Sequence, residues 1–151
     1  MEIHTTPCTN KDGSINEEEL IDYIDTLQKL GMAKKKTGMV NQVIGKLLAN
    51  HPDCIVGNPP IPICEIIENQ SNADINMGFR LRIYNQHGVS SRKQYQGGMI
   101  ERKRAEPFKK AYNALHYEYP VISSIYLELF KIYSGEAIRE DIDTEMRILD
   151  S

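Results

Sequence analysis

Val40, Val43, Ile44, Leu47 and Leu48 recur at i, i+3, i+4, i+7 and i+8. That spacing gathers apolar side chains on one side of a helix and would scatter them over both faces of a strand. Thr37 stands ahead of the run as its cap, and His51-Pro52 closes it, because the residue before a proline disfavours the helical region. A helix with one apolar side must bury it against another element. The remaining sequence therefore has to supply partners, and it does so mostly as further helices.

Ser14-Ile15-Asn16-Glu17 has the form of a capping box, and Leu20, Ile21, Ile24 and Leu27 follow at helical spacing, with Gly31 as the stop. This predicts a helix over 15–30. Cys54 to Cys64 holds Gly57, Pro59, Pro60 and Pro62 and is expected to form an extended linker or ordered loop, with a short helical turn at 65–68. Over 73–84, Ile75, Phe79 and Ile83 fit a helix, while Phe79, Leu81 and Ile83 alternate with Arg80 and Arg82 as in a strand; the helix is preferred. Residues 86–98 are polar and contain Gly, which predicts a loop.

From Met99 a stripe of Phe108, Ala111, Tyr112 and Leu115 predicts a helix that Pro107 should kink or divide. The last helix starts with Pro120 in its first turn and carries Ile122, Ile125, Tyr126, Leu129, Phe130 and Tyr133, with Gly135 loosening its middle. Its end, 136–149, is charged with sparser apolar positions at Ala137, Ile142, Met146 and Leu149. Such a segment suits projection or packing against a partner. The fold expected is one domain over 1–151, all-α with at most a minor β element, built as a compact set of four to six helices with a prolyl loop.

With 40% hydrophobic and 26% charged residues the chain has ordinary globular composition, which separates it from the charge-rich, apolar-poor class that stays unfolded. Met1-Glu2-Ile3-His4 lacks the basic and apolar regions of a signal peptide, and no run approaches the length of a membrane span. Cys8, Cys54 and Cys64 are an odd set at irregular spacing, which predicts thiols in a reducing, cytoplasmic setting.

The net charge of −3 conceals a segregation. Residues 1–31 hold seven acids and two bases, 32–50 four lysines and no acid, 80–110 nine bases and two acids, and 117–151 eight acids and three bases. A basic middle between acidic ends points to an anionic partner or to two halves of one fold attracting each other. Arg80, Arg82, Arg92, Lys93, Arg102, Lys103, Lys109 and Lys110 are the candidate contacts. If 99–116 is helical, the cations at 102, 103, 109 and 110 lie opposite the apolar stripe. Ser90, Ser91, Gly97 and Gly98 precede the helix start, where free backbone donors favour phosphate. Tyr84, His87 and Tyr95 interleave with the arginines as stacking residues do in a single-strand groove.

Cys8-Thr9-Asn10-Lys11-Asp12-Gly13-Ser14-Ile15-Asn16-Glu17-Glu18-Glu19 resembles the calcium loop of an EF-hand, with Asn10, Asp12, Gly13, Ile15 and Glu19 at that family's places. Cys8 stands where the first aspartate belongs, and the capping box accounts for Ser14 and Glu17 without metal. Asn58-Pro59-Pro60-Ile61 is similar to the Asn-Pro-Pro-aromatic motif of adenine-N6 DNA methyltransferases, in which the Asn and a proline carbonyl hold the target amino group. Ile61 replaces the aromatic, and the Gly-rich cofactor turn is absent. His51, Cys54, Cys64 and His87 carry zinc-ligand chemistry without knuckle spacing. No Ser or Cys sits with a His and a carboxylate in a nucleophile pattern.

The expectation is a non-enzymatic accessory or adaptor protein without cofactor or metal, engaging nucleic acid or an acidic protein partner through its basic surface. Two alternatives stand beside it: a structural subunit whose copies pair through the last helix, and a metal-binding or enzymatic module around 51–64.

Overall fold

The computed structural model describes residues 7–12, 14–87 and 99–150, with side chains for 7–12, 14–85 and 105–135. Among these the chain is all-α. The elements are α1 (Glu17–Ala33), α2 (Thr37–Ala49), α3 (Pro52–Ile55), α4 (Ile61–Gln70), α5 (Ala73–His87), α6 (Met99–Leu115) and α7 (Pro120–Asp150). Beside these seven helices there is one isolated antiparallel bridge, between Thr9 and Ile15.

The count exceeds the expected four to six because most of the prolyl segment is helical. Pro52 and Pro62 each occupy the first turn of a helix, α3 and α4, where a missing N–H costs nothing. Only 56–60 remains a loop, and the turn expected at 65–68 is the middle of ten-residue α4. The caps also differ from expectation. Asn16, not Ser14, caps α1, its Oδ1 accepting from the Glu19 N–H at 3.1 Å. Ser14 instead donates its backbone N–H and hydroxyl to Asp12 Oδ1 at 3.0 and 2.6 Å. Lys36, not Thr37, is the cap position of α2, and its side chain makes no capping bond.

Gly31 does not end α1, which runs on to Ala33. It lies buried where α2 comes close: a Cβ there would meet Val40 Cγ2 at 2.8 Å. The reversal between the two helices uses Lys35 in the left-handed region at φ 55, and the Lys36 N–H donates to the Gly31 carbonyl at 2.8 Å. On one side of this hairpin Gln28 Nε2 donates to Asn41 Oδ1 and to Gln70 Oε1, tying α1, α2 and α4 together.

α5 is helical as preferred, burying Ile75, Phe79 and Ile83. Gln86 and His87 belong to α5 and not to the expected loop, whose remainder, 88–98, lies outside the described residues. Helix α6 passes through Pro107 undivided, with Ala105, Phe108 and Ala111 buried beside the proline. Helix α7 continues across Gly135 to Asp150.

α2 and α5 run in the same direction at very short range. A Cβ on Gly45 would stand 2.0 Å from the Ile75 carbonyl oxygen, and one on Gly78 would stand 2.0 Å from that of Gln42. Only glycine lets backbones approach so closely. The other half of the core is aromatic. Phe108 of α6 stacks on Tyr126 and Tyr133 of α7 at 6.0 and 5.6 Å between centroids, Phe79 meets Tyr126 edge-on, and Tyr84 stacks on Tyr133. The buried Tyr126 hydroxyl donates to the Cys54 carbonyl at 2.7 Å. At the start of α7 the Glu68 carboxylate accepts from the Val121 and Ile122 N–H groups, each at 3.0 Å, supplying negative charge where the helix dipole favours it.

Candidate docking surface

The basic residues singled out in the sequence are largely occupied where the structure describes them. Arg80 of α5 is ion-paired with Glu128 of α7. Arg82 Nε donates to Asn50 Oδ1 at the C-terminal end of α2. Lys109 sits over the Phe130 ring, 5.5 Å from its centroid. Lys110 pairs with Glu106 one turn earlier at 3.4 Å, exposed. Arg80, Arg82 and Lys109 join α2, α5, α6 and α7 to one another, while the Lys110 pair stays within α6. Arg92 and Lys93 lie outside the described residues. Arg102 and Lys103 lie on α6 with side chains outside the description.

The cysteines near the prolyl loop are core groups. Cys54 and Cys64 are buried, their thiols directed at the Leu48 and Pro59 carbonyls. Burial pushes Cys54 well above the usual thiol value, and burial followed by the Glu68 charge pushes Cys64 up to about 12. His51 Nδ1 accepts from the Asp53 N–H and caps α3. Asn58 donates its N–H to the Asp53 carbonyl, and Pro60 is the cap position of α4, so the Asn-Pro-Pro string is a helix connector. In the loop that resembles an EF-hand, Cys8 is left-handed at φ 63 and Asp12 is engaged by Ser14. Among the described residues no three His, Cys, Asp or Glu side chains converge as a metal site.

Described residues line, among others, two clefts open to solvent. One, about 400 Å³, lies between the 56–57 loop and the Pro107 turn of α6, with the Glu106–Lys110 pair on its rim. The other, about 230 Å³, lies between α5 and α7 beside the Arg80–Glu128 pair and includes Asn76, whose buried Oδ1 has no protein donor. Neither joins a nucleophile to a base.

Among the described residues, several exposed large apolar groups gather on the outer side of the α1–α2 hairpin. Gln28 and Asn41 mark the side turned to α4, and Gly45 marks the side turned to α5. Away from both, α1 presents Tyr23 and Leu30 beside half-buried Leu27, and α2 presents Met39 and Val43 beside half-buried Leu47. Helical spacing puts 23, 27 and 30 on one stripe and 39, 43 and 47 on another. Tyr23 is 41%, Leu30 50%, Val43 45% and Met39 63% exposed, a concentration of large apolar groups that a scatter of single exposed residues does not produce. Around the turn and along α2 stand Lys34, Lys35, Lys36 and Lys46, all exposed. Among the described residues none of them has an ion-pair partner.

Sequence reasoning counted those four lysines but assigned contact to the cations of 80–110, and it took Val43 and Leu47 for core. The signal was present: five apolar positions on a thirteen-residue helix are more than one buried face needs. Searches with the whole chain find no matching family model, no matching curated protein and no matching solved structure. No helix of the described residues is long and apolar enough to cross a membrane.

Proposed function

We propose that the chain is a non-catalytic adaptor that takes an acidic, amphipathic helix of a partner protein on the outer face of its α1–α2 hairpin. The observation that carries the reading is a set of exposed apolar side chains, Tyr23, Leu30, Met39 and Val43, beside four lysines that have no ion-pair partner among the described residues. An apolar stripe on a partner helix packs on this set, and carboxylates flanking it meet the lysines; this is the helix-in-groove mode, with charge setting orientation and on-rate. The cations on α5 and α6 support the surface from behind, since Arg80, Arg82 and Lys109 hold helices to one another.

The test is fluorescence anisotropy of the full chain with a synthetic helical peptide of leucine stripe and glutamate flanks, with single-stranded and duplex nucleic acid measured in parallel. Peptide binding that weakens with salt, and that falls at least about tenfold when Lys34, Lys35, Lys36 and Lys46 become Glu, is expected. Nucleic-acid binding without peptide binding would overturn the reading in favour of phosphate recognition.

A further inference from the structure

Among the described residues, the turn between α6 and α7 carries the most exposed large apolar side chain. Tyr117 is 88% exposed, and its ring is the outer member of a stack: its centroid lies 4.0 Å from that of His116, which lies 5.2 Å from that of Tyr112. His116 is pinned in place, because its Nδ1 donates to the Tyr112 and Asn113 carbonyls at 3.2 and 3.1 Å. A carbonyl only accepts, so the ring proton is on Nδ1. The imidazole is thus fixed against the end of α6, and a phenol ring rests on it facing solvent.

The ground around the stack is acidic. Glu118 follows Tyr117 directly. Burial, then the charges of Cys64, Glu65, Glu118 and Glu17, raise the Tyr119 hydroxyl above its ordinary value, which puts α4 and the start of α1 beside this turn. Glu17 and Glu65 hydrogen-bond each other. Ionised carboxylates only accept, so one of the two keeps a proton. Among the described residues no ion pair engages Glu17, Glu65 or Glu118, and α6 ends without a basic residue in its last turn. Glu18 and Glu19 extend the acidic ground along α1, with exposed Lys11 the cation nearest to them in sequence.

We infer that this end of the molecule docks an arginine-bearing segment of a second partner protein. Charge selects the sign of the partner: carboxylates without bases, together with the negative end of the α6 dipole, attract a cation and repel nucleic acid and acidic peptide alike. The rings select arginine over lysine. A guanidinium is planar and weakly hydrated, so it lies flat on the outer face of Tyr117 while its N–H groups turn to the carboxylates around it. An ammonium makes the charge contact without the stack. An arriving cation also displaces the proton shared by Glu17 and Glu65, so the pair gains its second charge as it is met. The surface lies at the other end of α1 from Lys34, Lys35 and Lys36, about 25 Å away along the helix. It goes beyond the hairpin reading and does not need it, adding the second, oppositely charged surface that a chain joining two proteins requires.

The experiment is fluorescence anisotropy of the full chain with a short labelled peptide of arginines spaced by glycine and serine, beside a twin with lysine at every arginine, at about 50 mM and about 300 mM salt. Two variants accompany it: Tyr117→Ser, and a triple change of Glu17, Glu65 and Glu118 to Gln. Circular dichroism checks that both keep their helices, and Tyr117 is exposed enough that its loss leaves the fold intact. The expected result is binding that weakens with salt and favours the arginine peptide by about threefold or more. Tyr117→Ser should bind the twins equally, and the triple change should weaken both by at least about tenfold. No binding of the arginine peptide, equal affinity for the twins, a preference that survives Tyr117→Ser, or affinity that the triple change leaves intact overturns the inference. None of these outcomes touches the hairpin reading, whose acidic peptide is a separate probe.

Discussion

The two sides of α2 are built on opposite plans. Toward α5, Gly45 meets a backbone so close that a methyl group has no room. Toward solvent, Met39 and Val43 leave large apolar groups exposed, and lysines stand alongside. One side is complete within the chain and tolerates no addition; the other is unfinished. The contrast separates two uses of apolar surface that hydrophobic periodicity treats alike. Size does what periodicity cannot: small residues mark the side that is closed, and bulky ones mark both a core and a surface awaiting cover.

The strongest way to break the comparison is to fill the closed side. Gly45→Ala or Gly78→Ala should destabilise by about 3 kcal/mol or more in chemical denaturation, despite alanine's better helix propensity, because the methyl meets backbone carbonyls that cannot move independently. On the same closed half, Tyr126→Phe removes the hydroxyl donor to the buried Cys54 carbonyl, which keeps the longer Gly57 N–H bond at 3.3 Å, and should cost about 1 kcal/mol, read by the same denaturation curve. The open side should behave in the reverse manner. Val43→Asp should change stability by no more than about 0.5 kcal/mol while abolishing acidic-peptide binding; a loss of several kcal/mol would show that this side is closed as well. The smallest effect concerns the edge of the hairpin, where Glu17 at the start of α1 hydrogen-bonds Glu65 of α4. That bond, with lesser help from burial and the Glu65 charge, raises the Glu17 carboxyl above its ordinary value. Its contribution is complete below the unfolded glutamate value and is lost as pH rises through the raised folded one. Glu17→Gln should therefore flatten the fall in Tm across the mildly acidic range, as thermal melts at stepped pH would show.

The helices that were legible in the sequence are those with a full apolar stripe and an end signal: α2 before His51-Pro52, and α7 from Pro120. The segment 54–64 misled because proline reads as a breaker unless its place in a helix is known, and at the first turn it starts α3 and α4 instead. Gly31 misled in the same way, since its role is set by Val40 on a different helix. The site was half legible. A local charge count found the lysines of the hairpin, but whether a cation is occupied depends on residues distant in sequence: Glu128 for Arg80, Asn50 for Arg82, Phe130 for Lys109. No periodicity of α5 or α6 contains that information.

The 31 residues of α7 make a rod about 46 Å long. A compact sphere of 151 residues would be about 38 Å across, from its expected radius of gyration. The longest element thus exceeds the diameter that its own chain could fill, and rotation about α7 meets less friction than rotation end over end. Rotational diffusion of a single copy is consequently anisotropic, and the N–H vectors of α7, lying along the slow-tumbling axis, should give the longest apparent correlation times in the molecule.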